Sequence, residues 1–262
     1  MFSTLILAAV LLPPGQDSSV LLRKTVRPNT KDKYEFSIDA SLKTQLPSGL
    51  GQDQSRLAIT GSMVCDYGKS NLNGTNVTML WYPAKASATG TVGGTLDERG
   101  FLKPGRNVGT IDQLGAFRWA KTGEKTIAEL AASFITVPLP LWPAFSAARV
   151  EEGTEWKVAV PELTYSFVNA TVTEVLPKSV KIEVRGSYSE DAIVQMFILR
   201  ESGGIKSTEI SKLNMEAEID RATGALMNAT GTIETRAEAD TSDGFELTST
   251  REVKFTFRKI TR

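Results

Sequence analysis

The side chains that carry most enzyme chemistry are nearly missing from this chain. Its 262 residues contain no histidine and a single cysteine, Cys65. A Ser-His-Asp or Cys-His arrangement and a histidine-ligated zinc site are therefore excluded. A cysteine-rich metal site or an internal disulfide is excluded too, because each needs at least two thiols. Cys65 lies in the alternating stretch 63–65, which favours a buried, inert thiol over a reactive one.

Two segments resemble ligand-binding motifs only in part. Gly68-Lys69-Ser70 matches the tail of a phosphate-binding loop, but Met63 stands where its leading glycine would be. The stretch 240–244 resembles a calcium loop, yet Ala239 and Thr250 occupy positions that an EF-hand gives to acids. The Gly-x-Ser-x-Gly and Ser-x-x-Lys motifs of serine hydrolases do not occur. We therefore predict no catalytic residue, no metal site and no cofactor.

Carboxylates are the remaining candidates for catalysis. A pair of acids can support glycoside hydrolysis without histidine. Most of the acids, however, fall on the polar phase of alternating strands, which indicates a solvated face. A carboxylate hydrolase is therefore a minor alternative, and its candidate acids are Glu151, Glu152, Glu155, Glu162, Glu174, Glu216 and Glu218.

Net charge gives no indication of a polyanionic partner. Thirty basic residues balance thirty acidic residues. No run of lysine and arginine is long enough to form a nucleic-acid patch. Nucleic-acid binding is therefore not expected.

The first 19 residues differ in character from the rest. An apolar run from Phe2 to Leu12 is followed by Pro13-Pro14-Gly15 and then by polar residues. This run has the size of a signal-peptide core and is too short to cross a bilayer as a helix. We therefore expect export to the periplasm, the cell envelope or the extracellular space, with no transmembrane segment in the mature chain. The alternative is an N-terminal strand or a buried helical turn.

Apolar and polar residues alternate through most of the chain after residue 30. The segments 34–42, 180–185, 213–219 and 253–258 each place apolar residues at every second position. Such a pattern is typical of antiparallel strands with one buried face. Further strands are expected at 20–26, 57–66, 77–82, 155–160, 165–175 and 231–239. The fold class predicted is mainly β (α+β), a large curved antiparallel sheet or half-barrel in one domain over 20–262.

Two stretches of the chain have a similar organisation. Residues 33–105 and 154–235 each form a meander, and each contains a turn running from an aspartate to a glycine. We interpret them as pseudo-repeats, with chance similarity as the alternative. Segment 106–153, a helix followed by a proline-rich connection, would join them.

The best helical pattern lies at about 110–136. Ile127, Leu130, Ala131 and Phe134 follow the spacing of one helix face. Three prolines between 138 and 143 end the pattern and favour an extended connection. We expect this helix to pack on the sheet or to plug it.

The helix and its connection carry a dense apolar cluster. It is either the mouth of a ligand cavity, with the curved sheet as a cup, or a plug that completes the core. Its candidate ligand-binding residues are Phe134, Val137, Leu139, Leu141, Trp142 and Phe145.

The order of these features resembles an uncharacterised family of exported bacterial proteins, grouped as a domain of unknown function. Besides the signal-like start, the resemblance rests on Leu-Asp-Glu-Arg-Gly-Phe at 96–101 and the proline run at 138–143. It also includes Val-Glu-Glu-Gly-Thr-Glu-Trp at 150–156 and Ile-Asp-Arg-Ala-Thr-Gly at 219–224. More distantly, strands around a helical plug resemble the half-barrel lipoprotein carriers of bacterial envelopes. Those carriers have a lipid-anchor cysteine that this chain lacks.

Together these features predict an exported, non-enzymatic cell-envelope protein that binds a lipid or other apolar ligand, or an envelope protein partner. The alternative is a structural or adhesion module without a ligand. An open concave face would favour the first, and a filled core with an exposed strand edge the second.

Overall fold

The computed structural model describes residues 19–45, 51–90, 102–120, 143–160, 166–194, 205–240 and 246–260. Eleven strands of these segments form one open antiparallel sheet. The strands are β1 Thr30–Gln45, β2 Gln52–Asn71, β3 Gly74–Thr89, β4 Gly105–Ile111, β5 Phe117–Trp119, β6 Glu155–Ala159, β7 Phe167–Val175, β8 Ser179–Val194, β9 Ile205–Asp220, β10 Leu226–Asp240 and β11 Glu246–Lys259. The predicted large antiparallel sheet is confirmed.

The sheet consists of two meanders that meet at one long-range pairing. Its strand order is β5-β4-β3-β2-β1-β11-β10-β9-β8-β7-β6. Strands that follow one another in sequence therefore pair, except that β1 pairs with β11 and that β5 and β6 form the two edges. The two predicted halves contribute to one sheet. Their origin as repeats stays a prediction.

One face of the sheet is buried, as the alternating sequence predicts. In β1, Tyr34, Phe36 and Ile38 are buried, whereas Glu35 and Ser37 are exposed. The buried side chains of the other long strands join the same hydrophobic cluster. Cys65 belongs to it and has no exposed surface, so its predicted burial is confirmed.

The predicted helix is wrong in its first part. Residues 110 and 111 end β4, and residues 117–119 form β5, so this stretch is a hairpin. A carboxylate holds the turn: Asp112 Oδ1 accepts hydrogen bonds from the amides of Leu114 and Ala116, both at 2.9 Å. Such local bonds compete with helix formation. The rest of the predicted helix, from residue 121 on, lies outside the described residues.

The strand predicted at 20–26 is also wrong. Only Val20 forms a β-bridge, with Val150, and residues 21–27 are irregular. Turn carbonyls bind the amides of this segment instead: Lys24 donates to Gln113 and Thr25 donates to Thr223, both at 2.8 Å.

These two hydrogen bonds require the sheet to curl. Gln113 lies in the β4–β5 turn and Thr223 in the β9–β10 turn, six strand positions apart. In a flat sheet that separation is about 29 Å. Here the two turns bind the amides of Lys24 and Thr25, which are adjacent in the chain and whose Cα atoms are therefore only about 3.8 Å apart. The sheet is therefore strongly curved at this end, which we term the closed end, and its buried face is concave.

The two edges of the sheet also approach each other at the closed end. The amide of Phe145 donates to Leu114 O in the β4–β5 turn at 2.6 Å. One residue earlier, Ala144 O accepts a bond of 2.9 Å from the indole of Trp156 in β6. Segment 143–150 therefore bridges β5 and β6 where no strand pairing joins them among the described residues.

Glycines on the concave face give room for aromatic rings from neighbouring strands. Gly61 pairs with Phe36, and Gly231 pairs with Phe255. A Cβ atom at Gly231 would lie 2.6 Å from Phe255 Cζ and 2.5 Å from Asn214 O. Rings that cover strand glycines let a curved sheet stay densely packed.

We therefore expect Gly231→Ala to lower the free energy of unfolding by about 3 kcal/mol, because backbone and ring must both shift. Urea unfolding followed by circular dichroism measures this loss. Gly68→Ala is the matched control: the nearest atom to its Cβ is 3.5 Å away, so the strand should keep or slightly gain stability. Equal losses in both variants would contradict this account of the packing.

Candidate functional site: the concave face

The concave face carries a continuous apolar wall at the closed end. Inner positions of the central strands have almost no exposed surface there. They include Met63, Val77, Met79, Val180, Ile182, Met215 and Phe257. Phe36, Trp81 and Phe257 pack as rings with centroids 5.3–6.2 Å apart. This half of the concave face is a filled core.

Two segments, 19–25 and 143–150, cover the closed end, and arginine side chains join them by hydrogen bonds. Arg23 donates to Ser146 O at 3.0 Å and to Ala147 O at 2.7 Å. In return, Arg149 donates to the hydroxyl and the carbonyl oxygen of Ser19, at 2.8 and 2.7 Å. The cover is therefore tied by side chains distant in sequence.

A small charged cluster lies under this cover. The Asp32 carboxylate accepts a hydrogen bond from the Tyr67 hydroxyl at 3.1 Å and lies 2.7 Å from Lys259 Nζ. A second cation, Lys24, has its Nζ 3.9 Å from the same carboxylate. The Lys24 side chain is only 4% exposed, and its ammonium group lies over the Tyr67 ring. One carboxylate therefore compensates two ammonium groups.

Burial shifts the ionisation of the groups around this cluster. Desolvation lowers the pKa of Lys24, and the neighbouring Asp32 only partly opposes that effect. Desolvation also raises the pKa of Cys65, Tyr34 and Tyr67. The thiol and the two phenols are therefore not activated as anionic nucleophiles, and Cys65 is an inert core thiol.

Toward the opposite end of the sheet the concave face becomes partly accessible. Leu42 in β1, and Ala86 and Ala88 in β3, occupy inner positions of intermediate exposure. Ala88 pairs with the buried Leu57, which places it on the concave side. Apolar inner surface is thus in contact with solvent on β1 and β3.

At the level of Leu42, the inner face of β9–β11 is polar. The hydroxyls of Ser211 and Thr235 lie 2.9 Å apart and are buried. The guanidinium of Arg251 lies 3.4 Å from Thr235 Oγ1 and 3.6 Å from a Glu209 carboxylate oxygen. Arg251 pairs with Thr235 on one side and with Leu42 on the other. We term Ser211, Thr235, Arg251 and Glu209 the polar belt.

The predicted ligand-binding residues fall mostly outside this description. Phe145 is buried at the closed end, and an added Cβ on Gly224 would lie 2.8 Å from its ring. Its neighbours are core and turn residues, not the accessible part of the concave face. The other five, Phe134, Val137, Leu139, Leu141 and Trp142, lie outside the described residues.

The predicted acids within the described residues lie on or near the surface. Glu174 pairs with Lys181, whose ammonium group also interacts with Glu216 and Glu218, and Glu218 accepts a bond of 2.6 Å from Ser179. The others in the described residues are exposed, namely Glu151, Glu152 and Glu155, and Glu162 lies outside those residues. Within the described segments, no group of three or more acid or cysteine side chains is arranged to hold a metal ion. Glu209 and Asp32, which the sequence analysis did not select, lie on the concave face.

No protein-family model matches this chain, and a search of curated proteins finds no match. None of the described segments forms a helix with the length and hydrophobicity that a membrane crossing needs. The functional interpretation therefore rests on the geometry of the sheet.

Proposed function

We propose that this protein is an exported, non-enzymatic carrier that holds an apolar ligand against the concave face of its sheet. One observation supports the proposal above others: the concave face is filled at the closed end but presents accessible apolar side chains farther along. Burial of apolar surface is the main favourable term in most binding, so a ligand covering Leu42, Ala86 and Ala88 would gain free energy.

Copurification tests this function directly. We expect native mass spectrometry of the full chain, purified without detergent, to show a bound species that solvent extraction releases as a lipid. Mass measurement of the same exported sample gives the mature N-terminus, which we expect near residues 15–19. A chain that copurifies no lipid, and that binds neither added lipid nor an apolar fluorescent probe, would contradict the carrier function and favour a structural module.

Neighbouring residues of β3 provide a matched pair of variants. Ala88→Trp puts a bulky side chain on the accessible concave surface, and we expect it to weaken binding of an apolar fluorescent probe by about tenfold, or about 1.4 kcal/mol. Ser87→Trp puts the same side chain on the exposed outer face and should leave probe binding unchanged. Equal binding by both variants would place the probe elsewhere on the protein.

A further inference from the structure

The polar belt places two opposite charges on the concave face. The side chains of Arg251 and Glu209 are 21% and 22% exposed, so both are largely withdrawn from water. A ligand that covered them with hydrocarbon would remove their remaining hydration, which is unfavourable for charged groups. Any ligand bound here must therefore carry polar groups that face the belt.

The pairing between the two charges is loose. Their 3.6 Å separation exceeds the ~2.7–2.9 Å of a charge-assisted hydrogen bond. The two charged groups therefore do not hold each other in a short bidentate contact. A purely anionic group would be attracted by Arg251 but repelled by Glu209, and for a purely cationic group the reverse holds.

The accessible concave face is polar on β9–β11 and becomes apolar on β1 and, nearer the closed end, on β3. The belt lies on β9–β11, whereas Leu42, Ala86 and Ala88 lie on β1 and β3. Leu42 and Arg251 are directly opposite each other across the β1–β11 pairing, and the buried Ser55 of β2 pairs with Leu42 on its other side. Ala88 pairs with Leu57, so it lies one inner position nearer the closed end than Leu42. A ligand that matches this surface has a hydrocarbon part joined to a headgroup of both charges.

We propose that the polar belt is a headgroup site and that the ligand is a zwitterionic amphiphile, such as a lipid with a phosphate and an ammonium group. The phosphate binds Arg251, with the hydroxyls of Ser211 and Thr235 beside it, and the ammonium group binds Glu209. The hydrocarbon part lies against Leu42, Ala86 and Ala88. This inference rests on the proposed carrier function and specifies its ligand class.

Binding of matched fluorescent amphiphiles tests the headgroup site. The probes share one acyl chain and carry a phosphocholine, phosphoglycerol, trimethylammonium or uncharged glycerol headgroup. We expect the zwitterionic probe to bind about tenfold more tightly than the others, or about 1.4 kcal/mol. Glu209→Gln should shift the preference toward the anionic probe, and Arg251→Gln toward the cationic one. Arg258→Gln, on the outer face of the same strand β11, is the control and should keep the wild-type order.

The outcomes separate this inference from the carrier function. If the probes bind and Ala88→Trp weakens them, but the headgroup order is flat or identical in both belt variants, the headgroup site is wrong and the carrier function stands. If no probe binds and no lipid copurifies, both are wrong. Glu209→Gln and Arg251→Gln are expected to shift the headgroup preference in opposite directions. If only one of the two variants folds, its shift alone is sufficient for the test.

Discussion

Replacing Asp32 with alanine is expected to lower the free energy of unfolding by about 3–5 kcal/mol. Asp32 compensates Lys259 at 2.7 Å and the buried ammonium group of Lys24 at 3.9 Å. It also accepts the hydrogen bond of Tyr67. The variant leaves two positive charges facing each other under the cover of the closed end, where water can compensate them only in part.

Chemical unfolding of the wild type and three variants measures this effect. Asp66→Ala is the matched control, because Asp66 forms an ion pair of 2.9 Å with Lys31 on the exposed outer face. Such surface pairs contribute about 0–1 kcal/mol. The double variant Lys24→Met with Asp32→Leu removes the carboxylate together with the more deeply buried of its two cations. It should therefore restore part of the stability that Asp32→Ala loses, because only the charge of Lys259 is then left without its partner. If the two aspartate variants lose similar stability, the cluster does not hold the closed end.

The alternation of apolar and polar residues is sufficient to predict the sheet. In an antiparallel strand with one buried face, side-chain direction follows directly from position, so Tyr34 to Leu42 and Val253 to Phe257 already specify which side faces the core. Pairing of β1 with β11 does not follow from this pattern. It joins strands at opposite ends of the chain, and many registers satisfy the same alternation.

The charged residues of the concave face can be recognised in the same pattern. Arg251 occupies the apolar phase of β11, two residues before Val253, and Glu209 and Ser211 share the phase of Leu213. Asp32 likewise shares the phase of Tyr34. A charged residue in the apolar phase of a strand must be paired or lie at an accessible part of the inner face.

The closed end could not be predicted from local pattern. Residues 20–26 have the composition of a strand, but distant turns determine their backbone partners. Arg23 and Ser146 are 123 positions apart. The hairpin at 110–119 is likewise not evident from the apolar spacing. It is stabilised by the turn that Asp112 holds and by the packing of the Phe117 ring against Gly109.

Alkaline pH is expected to unfold the protein steeply above about pH 10.5. In the unfolded chain the Cys65 thiol loses its proton near pH 8.5 and the phenols of Tyr34 and Tyr67 near pH 10. Burial raises the pKa of all three in the folded state. Above those pH values the folded chain binds more protons than the unfolded chain, so stability falls as pH rises, by about 1.4 kcal/mol per group and pH unit.

Lys24 delays this loss. Burial lowers its pKa, so between the folded pKa of Lys24 and about pH 10.4 the unfolded chain binds more protons at this site than the folded chain, and stability rises with pH. That gain opposes the Cys65 contribution, which begins above about pH 8.5. Above pH 10.4 it is complete, and the three acidic groups together should remove about 4 kcal/mol per pH unit. Circular dichroism at stepped pH measures the slope.

Two tyrosine variants distinguish ionisation from general damage to the core. The Tyr34 hydroxyl is buried and has no hydrogen-bond partner among the described residues, so Tyr34→Phe should keep or gain about 1 kcal/mol at pH 7. Tyr67→Phe removes the donor to Asp32 and should lose about 1–3 kcal/mol at pH 7. Both should reduce the alkaline slope by about a third, because each removes one of three titrating groups. If the two variants change the stability at pH 7 in opposite directions but reduce the alkaline slope equally, the alkaline transition is due to ionisation of the buried hydroxyls. An unchanged slope in Tyr34→Phe would contradict it.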